Sequence, residues 1–311
     1  CSRDSGRRRR CGSRRRRPRR AHRWPRSWRS RPARSGGWWS GEKGRQLEPE
    51  SAACRDAAYG VPSTNGPSAI EMGLRALGVV PGDEVIVPPY TFIATATAVI
   101  TVGAVPVFAD INPETLCLDP DDAARKISAR TRAIVPVHVG GRIADMVRIN
   151  ELAKSHNLAV LEDAAHAWGS QSAGQGAGTI GRCGTFSFQV SKNITAGEGG
   201  ILVTDDKELA DLCRSFTHCG RTEGSAWYDH SNLGSNLRMT EFQAAILLAQ
   251  LARLEEHLAR RQRNAALLDE GLAGIPAIHQ LAPATDMTRR SYHMYIFRVS
   301  QAELGISRAR F

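Results

Sequence analysis

From about residue 80 the chain alternates between short runs of β-branched and other apolar residues and longer stretches with apolar positions at helical spacing. The short runs predict strands over 84–87, 105–110, 133–139, 159–162, 185–189 and 200–203. The longer ones predict helices over 69–77, over 119–128 (opened by Asp119 and Pro120) and over 144–156. The strands are apolar at consecutive positions, so both of their faces need cover. The pattern therefore predicts an α/β fold, a mostly parallel sheet sandwiched by helices. Open sheets of this kind hold ligands at the carboxyl ends of their strands, so candidate chemistry is sought there.

Past the sheet the pattern changes. Thr240 and Gln243 form a capping-box start, and few helix breakers follow before Leu272. The stretch 240–272 predicts one linking helix of roughly 30 residues, about 45 Å long. A large domain over 36–273 would then be followed by the start of an incomplete, truncated smaller C-terminal domain over 274–311, with a strand over 292–299.

The 311 residues suffice for a sizeable core, and the closest approach to a membrane span, 93–109, is interrupted by threonines, Gly103 and Pro106. The formal net charge of +11 is unevenly placed. Residues 1–40 hold 16 of the 42 basic residues, all arginine, and one acid, Asp4. The other 271 residues hold 26 bases and 30 acids. Residues 1–35 read as a basic, low-complexity leader, with three roles open: a disordered tail, an organelle-targeting peptide, or a nucleic-acid-binding arm using Trp24 and Trp28. The body carries no recognisable nucleic-acid reader motif. Seven cysteines at irregular spacing, with no Cys-x-x-Cys pair, argue against a disulfide framework or a metal site and suit a cytoplasmic protein.

Three segments could carry chemistry. Lys192 lies just past a predicted strand end and before Gly197, Gly199 and Gly200. It is either a solvated loop lysine or, in a crowded pocket, a Schiff-base former. Asp163 ends the strand 159–162, with His166 three residues on. It is either a helix N-cap or the carboxylate that a pyridoxal cofactor needs at its ring nitrogen. Asn65 and Gly66, before the helix 69–77, are a common helix start or an anion nest for a phosphate. Phe92 is core or faces a flat ligand.

These segments, in this order, resemble the DegT/DnrJ/EryC1/StrS family of pyridoxal-phosphate-dependent sugar aminotransferases of fold type I. The resemblance covers 36–311 and is carried by 82–88, 91–96, 136–138, 162–166, 187–193 and 236–241. It implies that Lys192 forms the Schiff base with pyridoxal 5'-phosphate and shuttles the proton. It implies that Asp163 holds the pyridine nitrogen, that His166 lies near the phenolic oxygen and that Phe92 stacks on the ring. Ser187, Asn65 and Gly66 would contact the phosphate, and Asn236 would reach the phosphate of a neighbouring subunit, making a homodimer with shared active sites. The implied reaction moves an amino group from glutamine or glutamate to a keto-sugar or ketocyclitol. Pro67 departs from the family's Asn-Gly-Thr and removes one N–H and one hydroxyl from the phosphate nest. Two other readings stand beside this one: a catalytically inactive family fragment, and nucleic-acid binding through the Arg-rich leader.

Overall fold

Successive side chains of a strand point to opposite faces, so an all-apolar strand must feed two cores. The computed structural model describes residues 41–226, 228–284 and 287–311, and the predicted leader lies outside them. In it Val85 and Val87 enter one apolar cluster and Ile86 the other. Ala133 and Val135 separate from Ile134 in the same way, and Leu202 from Ile201 and Val203.

The elements in chain order are α1 (Glu42–Ala53), β1 (Tyr59–Ser63), α2 (Gly66–Ala76), β2 (Glu84–Val87), α3 (Ala94–Thr101), β3 (Val105–Phe108), α4 (Pro120–Lys126), β4 (Thr131–Ile134), α5 (Met146–Ser155) and β5 (Ala159–Asp163). The short pair β6 (Gln171–Ser172) and β7 (Gln175–Gly176) follows, then β8 (Cys183–Ser187), β9 (Gly200–Thr204), α6 (Lys207–Thr217), α7 (Glu241–Leu251) and α8 (Leu254–Leu272). The chain closes with β10 (Ile278–Gln280), β11 (Met287–Arg289), β12 (Phe297–Val299) and α9 (Gln301–Leu304).

The main sheet has the order β1-β9-β8-β5-β4-β2-β3. Its pairs from β8 to β3 are parallel, and β9 runs antiparallel to both β8 and β1. Buried residues of α2, α3 and α6 join one cluster; those of α1, α5, α7 and α8 join the other. The sheet is thus mostly parallel and sandwiched by helices, as the pattern predicts.

Three elements differ from expectation. The strand predicted over 133–139 ends at Ile134 because Pro136 has no N–H to donate, and the chain then turns through Gly140 at φ 60°. The single helix over 240–272 is two helices, α7 and α8, separated where Arg253 adopts φ −108°, ψ 4°. Leu247, Leu251, Leu254 and Leu258 are buried on both sides of the break, so the apolar stripe that suggested one helix continues across it. The strand expected over 292–299 is confined to β12, which pairs with β10, while β11 returns to pair with β6. Among the described residues no helix is long and apolar enough to cross a membrane, and Cys54, Cys117, Cys183, Cys213 and Cys219 are free thiols.

Candidate active site

β5 and β8 lie side by side in parallel, with Asp163 in register with Thr185, so both deliver their carboxyl ends to one place. A cavity of about 900 Å³ opens there. Its walls include Asp163 and His166 after β5, Ser187 and Lys192 after β8, Asn65 and Gly66 at the start of α2, Phe92 before α3, and His293 from the C-terminal segment. A cavity of this size has room for a cofactor and a second small molecule.

The lysine loop is folded around Gln189. Its Oε1 accepts from the Ser191 N–H (2.9 Å) and hydroxyl (2.7 Å), and its carbonyl accepts from the Lys192 N–H (2.9 Å). Asn193, buried, donates from Nδ2 to the Ser291 carbonyl at 3.1 Å and so ties the loop to the C-terminal segment. Lys192 itself is half-buried. Burial draws the pKa of its ammonium below the usual lysine range, and the Asp163 carboxylate offsets part of that. The result is an amine biased toward its nucleophilic form.

The two acids at the end of β5 have different duties because their side chains leave opposite faces. Glu162 is fully buried and pairs with His138 Nε2 at 2.7 Å. It also accepts from the N–H groups of Gly178, Ile180 and Gly181 at 2.6–2.8 Å. Its oxygens are therefore spent on holding the loop before β8. Asp163 faces the cavity, where Oδ2 accepts from the Thr95 hydroxyl at 2.7 Å and Oδ1 from the Ala165 N–H at 3.2 Å. Thr95 is shared with Thr91 Oγ1 at 3.0 Å, so the start of α3 orients the acid. Asp163 therefore combines a local turn contact with a carboxylate presented to the cavity.

Asn65 caps α2 by accepting from the Ser68 N–H at 2.9 Å. Gly66 packs so closely on β8 that an added Cβ would lie 2.9 Å from the Ser187 Cβ. The helix start and Ser187 thereby form one small cradle at the positive end of an 11-residue helix, suited to a phosphate. Pro67 fits the first helical turn, where its missing N–H breaks no intrahelical bond. It still withholds one donor from the cradle. Pro67→Thr is expected to tighten binding of pyridoxal phosphate, the cofactor the resemblance implies, about tenfold, the worth of one charge-assisted hydrogen bond. An absorbance titration checks this, and an unchanged dissociation constant would show that position 67 does not touch the phosphate.

His166 stacks on His293 with ring centroids 4.4 Å apart and planes at 25°. Burial, then Lys192, then the His293 neighbour push the His166 pKa down to about 3. Burial, Lys192 and Arg261 push that of His293 down to about 4. Both rings are neutral in the fold, whereas in the unfolded chain histidine takes a proton near pH 6.5. The unfolded state then binds more protons below that pH, and stability falls from about pH 6.5 toward pH 3–4. Denaturant unfolding at several pH values is expected to show this decline, and a shallower one in a His166→Gln, His293→Phe double variant. Equal slopes in the two proteins would assign the decline to other groups.

The cavity thus gathers Lys192, Asp163, His166, Phe92, Ser187, Asn65 and Gly66, seven positions singled out in the sequence. Phe92 is 69% exposed and is a wall of the cavity, not core. Asn236 is not among its lining residues. It is exposed and forms a bridge with His218, while the adjacent Leu237 carbonyl accepts from the Thr64 N–H at 2.8 Å. Thr95 and His293 were not singled out beforehand. A threonine pair four apart at a helix start could have flagged Thr95; nothing local marks His293, which lies 101 residues beyond Lys192.

The model of the DegT/DnrJ/EryC1/StrS aminotransferase family matches residues 30–311. The L-glutamine:2-deoxy-scyllo-inosose aminotransferase of Streptomyces kanamyceticus is 41% identical over 261 residues, 79% of this chain and 60% of that protein. The UDP-N-acetyl-3-dehydro-alpha-D-glucosamine 3-aminotransferase of Acidithiobacillus ferrooxidans is 44% identical over 245 residues, 78% of this chain and 66% of that protein. The chain therefore spans less than two thirds of the length of either relative. Among solved structures, NtdA from Bacillus subtilis with bound cofactor PMP superposes with a TM-score of 0.77 at 33% identity, covering 87% of this chain and 62% of that one.

Proposed function

The chain belongs to the DegT/DnrJ/EryC1/StrS aminotransferase family, and from that premise we propose that it is a pyridoxal-phosphate-dependent aminotransferase. The amino donor in this reading is glutamine or glutamate, and the acceptor a ketocyclitol or keto-sugar. The donor leaves as its 2-oxo acid, and the acceptor's carbonyl carbon ends bearing the amine. The observation that carries the reading is one cavity holding a half-buried lysine, an oriented carboxylate and a helix N-terminus. The names of the relatives support glutamine as donor and polyhydroxylated ketones as acceptors.

The residues present fit pyridoxal phosphate. Asn65, Gly66 and Ser187 would hold the phosphate, Asp163 the ring nitrogen, His166 the phenolic oxygen and Phe92 the ring face. When bound, the cofactor supplies an electron sink for the carbon that loses its proton. Lys192 supplies the amine that anchors it and moves the proton, and burial keeps that amine reactive. Thr95 holds Asp163 in place, and the Gln189-centred loop holds Lys192. Phe92 and Ile93, beside the cavity mouth, are each more than half exposed, which supports a second copy covering them in a homodimer. Asn236, lying outside its own chain's cavity, would then serve the neighbouring site. Free thiols at Cys117, Cys183 and Cys213 in the core suit a cytoplasmic enzyme.

The deciding experiment is a visible spectrum of the protein with pyridoxal phosphate, before and after L-glutamine, with borohydride trapping and peptide mapping. The expected result is a lysine-linked band on Lys192 that bleaches with the donor. A folded protein with no such band would overturn the reading.

A further inference from the structure

His293 reaches the cavity on a turn that the backbone would not adopt unaided. Tyr292 has φ +44°, a left-handed conformation that is costly for a bulky side chain. Contacts on every side hold it there. The Ser291 N–H donates to Ser170 Oγ (3.1 Å) and its hydroxyl to the His166 carbonyl (3.1 Å). Arg261 Nη1 donates to the carbonyls of Tyr292 (3.0 Å) and His293 (3.3 Å). The consequence is an imidazole lining the cavity beside Lys192 and stacked on His166.

The surrounding hydrogen bonds fix the proton on each ring. Asn193 donates from Nδ2 to the Ser291 carbonyl, so its Oδ1 is the acceptor that faces His293 Nδ1 at 3.3 Å. His293 therefore carries its proton on Nδ1, and Nε2 keeps a lone pair. His166 is the reverse: its Nδ1 accepts from the Gly140 N–H at 3.4 Å, so the proton sits on Nε2. The stacked pair thus offers one donor and one acceptor.

We propose that His293 is a substrate-reading residue whose Nε2 accepts a hydrogen bond from a hydroxyl of the polyhydroxylated ketone. The proposal rests on the acceptor class put forward above. A lone pair matches a hydroxyl and repels the α-carboxylate of an amino-acid donor, so His293 discriminates between the two substrates that share the cavity.

The test uses the holoenzyme and two measurements. Nitrogen NMR of the imidazoles, with His293 assigned by its loss in His293→Phe, is expected to show the Nδ1–H tautomer; the opposite tautomer or an imidazolium overturns the proposal. Half-reactions are then measured with L-glutamine and with scyllo-inosose as the keto-polyol probe. His293→Phe, which keeps an aromatic stack, is expected to raise KM for scyllo-inosose about tenfold more than KM for glutamine. His293→Gln, whose amide oxygen can accept, is expected to restore part of the difference. Equal effects on both substrates overturn the proposal and indicate a structural role. A wild-type protein that bleaches with glutamine yet binds neither scyllo-inosose nor a keto-sugar overturns the acceptor class, whereas a protein that uses the polyol but responds equally on both substrates overturns only the role of His293. The NMR result still reports the tautomer in that case, so the two failures are told apart.

Discussion

Lys192→Ala is expected to lower amino transfer from glutamine by about 10⁴-fold or more, because one side chain serves as both anchor and proton carrier. The lysine-linked visible band should vanish with it. The fold should be kept, since burial disfavours the charged amine and the loop is held by Gln189 and Asn193, not by Lys192. Lys192→Arg is expected to be nearly as inactive, since a guanidinium remains protonated at neutral pH. Formation of the 2-oxo acid from glutamine checks both variants, against circular dichroism of the same preparations. A Lys192→Ala protein with a tenth of wild-type turnover would remove this residue from the chemistry.

Asp163→Asn is expected to cost about 10³-fold in the donor half-reaction, the scale for removing one preorganised electrostatic partner in an enclosed site. The amide oxygen can still accept from the Ala165 N–H while its Nδ2 donates to the Thr95 hydroxyl oxygen, which turns its own proton to Thr91, so packing and stability should change little. What it cannot do is hold a positive charge on a ring nitrogen. The loss should therefore fall on the rate of proton removal and much less on glutamine binding, a split that rapid-mixing absorbance resolves. Thr95→Val offers a graded companion, since Asp163 keeps its charge and loses only its orientation. If Asp163→Asn and the wild type bleach at the same rate, the acid is a turn residue, held by Ala165, and nothing more.

Much of the large sheet was legible because its information is local. β2 and β9 are consecutive apolar runs of a length that only a doubly covered strand needs, and their ends fall within one residue of expectation. β4 ends earlier than its apolar run because a missing N–H at Pro136 outweighs hydrophobicity. The break between α7 and α8 was not legible, for neither Gly nor Pro marks it and the leucine stripe passes through. The small strands β6 and β11 were also missed. Each is two or three residues long, and they pair only because the chain returns from more than 100 residues away.

The candidate site divides along the same line. Sequence alone determined the chemical inventory: a lysine after one strand, an acid after another, and a small-residue helix start, each recognisable from its own neighbours. The family resemblance already assigned the ring-facing role to Asp163; the tertiary structure supplied the physical reason, because strand alternation sends Glu162 inward to the loop amides and Asp163 toward Lys192. Only the tertiary structure brought His293 against His166, through a strained turn held by Ser170, Asn193 and Arg261. Local order along a chain fixes what a segment can become. Which side chains share one desolvated volume, and so which protons move, depends on contacts that no window of sequence contains.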